Sequence, residues 1–185
     1  MKKLATMLKI ATVMAVALLL GGGCDDGIDW LGLSRGNFVI DDEITTCFNL
    51  VNEFRTGNEA WYYSDDTKNT KTELVGKLKE LTLDENLCKA AAIRAKEIVK
   101  SFSHTRPNGK DCFTVFDDLG IKAGYKAENI AMGNTSGAKT FNQWKEDDLP
   151  NSQQGHRINM LSPNATKIGI AHDSSGRYWA MILSN

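Results

Sequence analysis

The sequence predicts an α+β domain in which a small antiparallel sheet is covered by helices. Three observations predict it. Helical patterning dominates the earlier part of the chain, the β-rich runs come late and meet in a hairpin, and no alternating βαβ order appears. A chain of 185 residues, 42% hydrophobic and 24% charged, has the size and composition of one globular domain with a tail.

The domain does not start at the N-terminus. Lys2, Lys3 and Lys9 precede the apolar run "IATVMAVALLL" at 10–20, which leads through three glycines to Cys24. A basic start, a short apolar stretch and a small-residue exit describe a secretory signal peptide over residues 1–23. A membrane span needs about 20 apolar residues, and Lys9 interrupts this run. "LLLGGGC" is similar to a bacterial lipoprotein signal, whose cleavage leaves a lipidated cysteine, here Cys24, at the new N-terminus. Gly21 departs from that pattern, which favours a larger aliphatic residue three before the cysteine. A lipoprotein is favoured over plain secretion; both place the protein outside the cytosol, either anchored to the cell membrane or released.

Removing residues 1–23 takes away three lysines and no acid, leaving 19 basic against 23 acidic residues, a net charge of −4. No basic face stands out, so nucleic acid is excluded as a partner. Beyond Cys24, Cys47, Cys88 and Cys112 permit at most one disulfide, whose pairing the sequence leaves open. No CxxC or CxxH spacing suggests a cysteine-built zinc cage.

Residues 24–43, acidic and dotted with glycine, read as a tether, and 44–185 as the domain. "ITTCFNLVNEFR" sets Ile44, Phe48, Val51 and Arg55 on one helical stripe, with Gly57 ending it. "NEAWYYSDDTKNTK" reads as a loop with a packed aromatic cluster, and "ELVGKLKEL" as a short helix. "LDENLCKAAAIRAKEIVKSF" is the strongest helix, capped by Asp84, with Leu87, Ala91, Arg94 and Ile98 on its stripe. Pro107 and Gly109 forbid its continuation. A helix over "DCFTVFDDLG" takes Asp111 as cap, "KAENIAMG" reads as a strand, and "AKTFNQWKEDD" as a helix. "NSQQGHRINML" reads as one more helix capped by Asn151 or Ser152. "KIGIAHD" and "RYWAMILS" about "SSG" form the hairpin, and Trp144 and Trp179 read as core.

Five stretches in this order, "FSHTRPNG", "AENIAMG", Trp144, "GHRINML" and "IGIAHDSSGRYWAMIL", resemble the CAP superfamily of cysteine-rich secretory proteins, antigen 5 and pathogenesis-related 1, in its bacterial, SCP-like extracellular form. The resemblance covers about residues 44–185. It implies an α-β-α sandwich with a central cleft carrying two histidines and two acids, which in some members bind a divalent metal. Carried onto this chain, it makes His104 and His156 the cleft histidines and metal ligands, with zinc the example ion. Glu128 becomes a cleft carboxylate, with Ala127 in place of the usual glycine. The fourth position falls on Glu146 by residue type or on Asp147 by distance from Trp144, and Glu146 is preferred.

Other readings stand beside these. His104 can cap the carbonyls at the end of its helix. Glu128 can bind backbone amides around a turn, Arg157 can pair on a helix surface, and His172 reads as a packing or surface histidine. There is no GxSxG elbow and no HExxH motif; Ser103 and Ser152 adjoin the key histidines in sequence alone. The expected function is an extracellular binding module whose His/Glu cleft takes a small ligand, lipid, peptide or cell-envelope component. A secreted metal-dependent peptidase or related hydrolase, with Glu128 as general base, is the alternative. A third reading leaves the cleft histidines as a pH-sensitive or vestigial feature.

Overall fold

The computed structural model describes residues 39–185, so the expected signal peptide, Cys24 and most of the tether lie outside the described residues. Helix α1 (Asp42–Thr56) begins where Asp41 Oδ1 accepts the Ile44 N–H at 2.8 Å. Its stripe buries Ile44, Cys47, Val51 and Phe54. Arg55 is buried with them and donates to the carbonyls of Lys79, Met160, Ser162 and Ala165. Burial without a carboxylate partner brings its pKa down to about 10.

The stretch expected to be an aromatic loop contains β1 (Trp61–Tyr63), paired antiparallel with β2 (Lys71–Glu73). Aromatic residues suit a half-buried pleated surface, and that preference prevails over the turn-rich flanks. The short helix expected at "ELVGKLKEL" does not form. Leu74 N–H donates to Ala60 C=O, Gly76 takes a left-handed φ of 71° in the following turn, and Leu78 and Leu81 enter the core. The chain then forms β3 (Thr82–Leu83).

Helix α2 (Glu85–Lys100) is capped as its sequence predicts, Asp84 Oδ1 accepting the Leu87 N–H at 3.0 Å. Helix α3 (Thr114–Asp118) is shorter than expected and its N-cap is Phe113, because Asp111 spends its carboxylate on the Phe113 N–H one step early. Strand β4 (Lys126–Met132) and helix α4 (Gly137–Lys145) follow. The single helix expected from Asn151 is split into a 3-10 turn (Asn151–Gln153) and α5 (Gly155–Met160). Neither Asn151 nor Ser152 caps it: Asn151 Nδ2 donates to Tyr63 C=O at 2.5 Å, tying this segment to β1. Strands β5 (Lys167–His172) and β6 (Tyr178–Ser184) form the expected hairpin.

The main sheet runs β3-β5-β6-β4, antiparallel except for the two-residue parallel pairing of β3 with β5. Side chains alternate across it. Ala127, Ala131, Ile168, Ile170, Trp179, Met181 and Leu183 join the apolar core with residues of α1 and α4. Gly169 lies on the other face, with the backbone of α2 directly over it. The result is an α-β-α sandwich with β4 as an edge strand. That edge is covered rather than left open, because Trp144 Nε1 donates to Ile130 C=O at 3.1 Å and Asn159 Nδ2 to Glu128 C=O at 3.4 Å.

Cys47, Cys88 and Cys112 are free and buried, and burial raises the Cys47 and Cys112 thiols to about 12 and Cys88 to about 11. No helix among the described residues is long and apolar enough to cross a membrane.

His172, read as a packing or surface histidine, packs its ring on Trp179 and binds Asp41 Oδ2 through Nε2 at 2.7 Å. Partial burial opposes ionisation of Asp41, but the Ile44 N–H and His172 outweigh it and hold the carboxyl below its ordinary 3.8. A carboxylate of depressed pKa contributes stability above its ordinary value and loses it as pH falls through the folded value. Asp41→Asn is therefore expected to flatten the fall in stability below about pH 4, measured as denaturant midpoints across an acid series. An unchanged acid profile would show that the Asp41 contacts are too solvated to matter.

Candidate functional site

The chain leaving α2 does not use His104 to cap the helix. Ser101 N–H already returns to Glu97 C=O, and the loop folds back on itself with Gly109 at a left-handed φ of 80°. Arg106 N–H donates to Lys110 C=O at 2.8 Å and Cys112 N–H to His104 C=O at 3.0 Å. This narrow return turns the His104 imidazole toward β4, where Nδ1 meets Glu128 Oε1 at 2.7 Å.

Glu128 is almost wholly buried, its side chain 1% exposed, while that of His104 is 57% exposed. Its second oxygen accepts from Arg94 Nε at 2.7 Å, and Arg94 Nη2 reaches Oε1 at 3.3 Å. Arg94 also donates to Glu97 Oε2 at 2.6 Å and Ser103 C=O at 2.7 Å. Arg106 extends the chain of charges, bonding Glu97 and Asp118. Burial pushes the Glu128 carboxyl up, but His104 and Arg94 together outweigh it and hold the group below its ordinary range.

The second histidine has its own carboxylate. Helix α4 ends at Glu146, a non-glycine residue in left-handed backbone conformation (φ 49°, ψ 44°). That turn aims the carboxylate at the first turn of α5. Oε1 meets His156 Nδ1 at 2.5 Å, and Oε2 accepts the N–H groups of His156 at 3.1 Å and Arg157 at 3.3 Å. Gln154, fully buried, donates to Glu146 C=O at 2.9 Å and fixes the turn. Asp147 goes elsewhere, to Arg157 Nη1 at 2.6 Å. Arg157 is therefore no surface pairing residue. Its buried guanidinium also bonds the carbonyls of Glu59, Trp61 and Lys145 and lies 4.0 Å from the Trp61 ring.

Asn129 joins the two pairs. It follows Glu128 on β4 and so faces the opposite side of the sheet; there its Nδ2 donates to His156 C=O at 3.0 Å and its Oδ1 accepts from Asn159 at 2.9 Å. Each imidazole thus has Nδ1 against a carboxylate. An ionised carboxylate only accepts, so in the neutral ring Nδ1 holds the proton and Nε2 keeps its lone pair free. This is how ligating histidines are oriented in metal sites. Among the described residues, the set of three or more potential ligands that comes within 4.8 Å of one another is His104, Cys112 and Glu128, and His156 is not in it.

Gln154 escaped the sequence reading, which placed Arg94 on a helix stripe, Arg157 in a surface pair and Cys112 among disulfide candidates rather than at the site. The available signal was Arg94, a charged residue at a core position of an alanine-rich helix.

The family model of the cysteine-rich secretory protein family (CAP) matches residues 48–183. YkwD of Bacillus subtilis, an uncharacterised protein, is 32% identical over 104 residues, which cover 55% of this chain and 38% of that one. The fold is similar to that of an extracellular SCP-domain protein from Bacillus anthracis (TM-score 0.57, 18% identity), over 76% of this chain and 39% of the other. It is also similar to NaASP2 with Zn2+ (TM-score 0.53, 18% identity), over 77% of this chain and 80% of the other. The chain spans about two fifths of the length of the Bacillus subtilis and Bacillus anthracis proteins, 38% and 39%.

Proposed function

The chain belongs to the cysteine-rich secretory protein (CAP) family, and from that premise we propose that it is an exported binding module, held to the membrane by lipid on Cys24. Its ligand, a small molecule, lipid, peptide or envelope component, is taken at the paired His104–Glu128 and His156–Glu146. The observation that carries this reading is the orientation of the two imidazoles, each clasped at Nδ1 by its own glutamate and so presenting Nε2 as a free acceptor. A divalent ion such as zinc belongs to the same reading, with His104 and His156 as the ligands that the family resemblance implies. Bound there, it would act as a charged anchor for an oxygen or nitrogen of the ligand.

Binding is favoured over hydrolysis by the state of Glu128. A general base needs a carboxylate ready to take a proton, and this one is bound by Arg94 and held below its ordinary range. Among the described residues, the ring hydrogen bonds of His104 and His156 go to glutamates, with no serine or threonine hydroxyl in between.

The test is calorimetric titration of the full chain with zinc, beside turnover of a mixed peptide library. Zinc binding weakened on the order of tenfold or more in His104→Ala, with no peptide cleaved, is the expected result. Cleavage that disappears in Glu128→Gln while the fold persists would overturn the binding reading in favour of a peptidase.

A further inference from the structure

Cys112 brings its sulfur within 4.8 Å of a Glu128 oxygen, on a carboxylate that Arg94 binds, whereas Cys47 sits in the apolar core. A thiol needs no such surroundings for packing. The fold places it there deliberately, by pairing Cys112 N–H with His104 C=O across a loop closed by a Thr105–Asp111 bridge. One ligand atom each from His104, Cys112 and Glu128 then falls within 4.8 Å of the others. Cys112 and Glu128 are buried, while His104 is open to solvent and leaves a route of entry.

We infer that His104, Cys112 and Glu128 form a mixed nitrogen, sulfur and oxygen site for a thiophilic divalent ion of the zinc class. Magnesium and calcium prefer all-oxygen shells, and a thiolate selects against them. Three protein donors leave the fourth tetrahedral position to water or to the ligand. The charges fit the ion. Arg94 neutralises Glu128 from Oε2 and can stay there, so the additional negative charge comes from sulfur. On binding, the Cys112 S–H bond breaks, a sulfur–metal bond forms, and the proton passes to the buffer. The imidazole gives one ring nitrogen to the ion and keeps its proton on the other, so no second proton is released.

This deepens the binding reading, on which it rests for a cation at His104, and it puts Cys112 and Glu128 where the family resemblance puts His156. Cobalt(II) titrated into the reduced full chain separates the two. The inference expects a sulfur-to-cobalt charge-transfer band in the near ultraviolet, retained in His156→Ala. It expects the band to vanish in Cys112→Ser and Cys112→Ala, with affinity reduced on the order of tenfold or more and thermal melting showing both variants folded. Cobalt bound without that band, lost in His156→Ala and kept in Cys112→Ser, overturns the thiolate site and leaves the two-histidine reading standing. A wild-type chain that binds no cobalt overturns both.

Discussion

Arg94→Met is expected to lower stability by about 3–5 kcal/mol, the cost of breaking a buried ion pair from one side. That is a large share of the roughly 5–15 kcal/mol by which a domain is stable. The Arg94 side chain is fully buried and serves Glu128, Glu97 and the Ser103 carbonyl together. Methionine fills its volume but leaves the Glu128 carboxylate with His104 alone. The pH dependence then changes sign. In the natural chain Glu128 is held below its ordinary 4.5, so its contribution is complete above that value and fades as pH falls through the folded one. Without Arg94, burial acts with less opposition and drives the carboxyl upward, so the variant loses stability as pH rises. Denaturant unfolding should therefore show a deficit that grows from about pH 4 to pH 7. Adding Glu128→Gln to Arg94→Met should recover part of it. A loss under about 1 kcal/mol, the scale of a solvated surface pair, would show that water reaches these charges.

Why the site was partly legible follows from the range over which each feature is determined. Asp84 and the spacing of Leu87, Ala91 and Ile98 announce α2 because capping and the 3.6-residue period are local. The β5–β6 hairpin is local too, with Gly176 at its turn. Glu128 falls on a strand as the pattern of "KAENIAM" suggests. What local pattern does not contain is that this strand forms the edge of the sheet, between α2 on one face and α5 on the other. That position lets His104, 24 residues away, and His156, anchored through Asn129, address the same strand. Between Glu146 and Asp147 residue type favours Glu146, but the geometry behind the choice has no local signal. It depends on a left-handed backbone turn stabilised by the amides of α5, which sends Glu146 to His156 and Asp147 to Arg157. Neither β1 nor the parallel β3 has a periodic signal, since segments of three and two residues are too short to show one.

Gly169→Ala is the second large expected effect, and it links the sheet to the site. A Cβ at Gly169 would stand 2.1 Å from Leu87 C, 2.3 Å from Cys88 N and 2.4 Å from Leu87 O, all backbone atoms of α2. Backbone in the capped first turn of a helix cannot rotate away as a side chain does, so one added methyl must lift the start of α2 off the sheet. The loss should reach or exceed the upper end of the roughly 1–3 kcal/mol typical of overpacking. Because α2 also carries Arg94, a lifted helix draws the guanidinium away from Glu128 on the same sheet face, and ion binding at His104 should weaken with stability. Gly155→Ala provides the contrast. Nothing lies within 4 Å of a Cβ there, and its backbone is helical, so alanine should be neutral or stabilising by up to about 1 kcal/mol. Denaturant unfolding and cobalt titration of both variants measure the two effects side by side. Equal stability in the two would mean that α2 rides loosely on β5, and a helix so loosely seated could not hold Arg94 against a buried carboxylate.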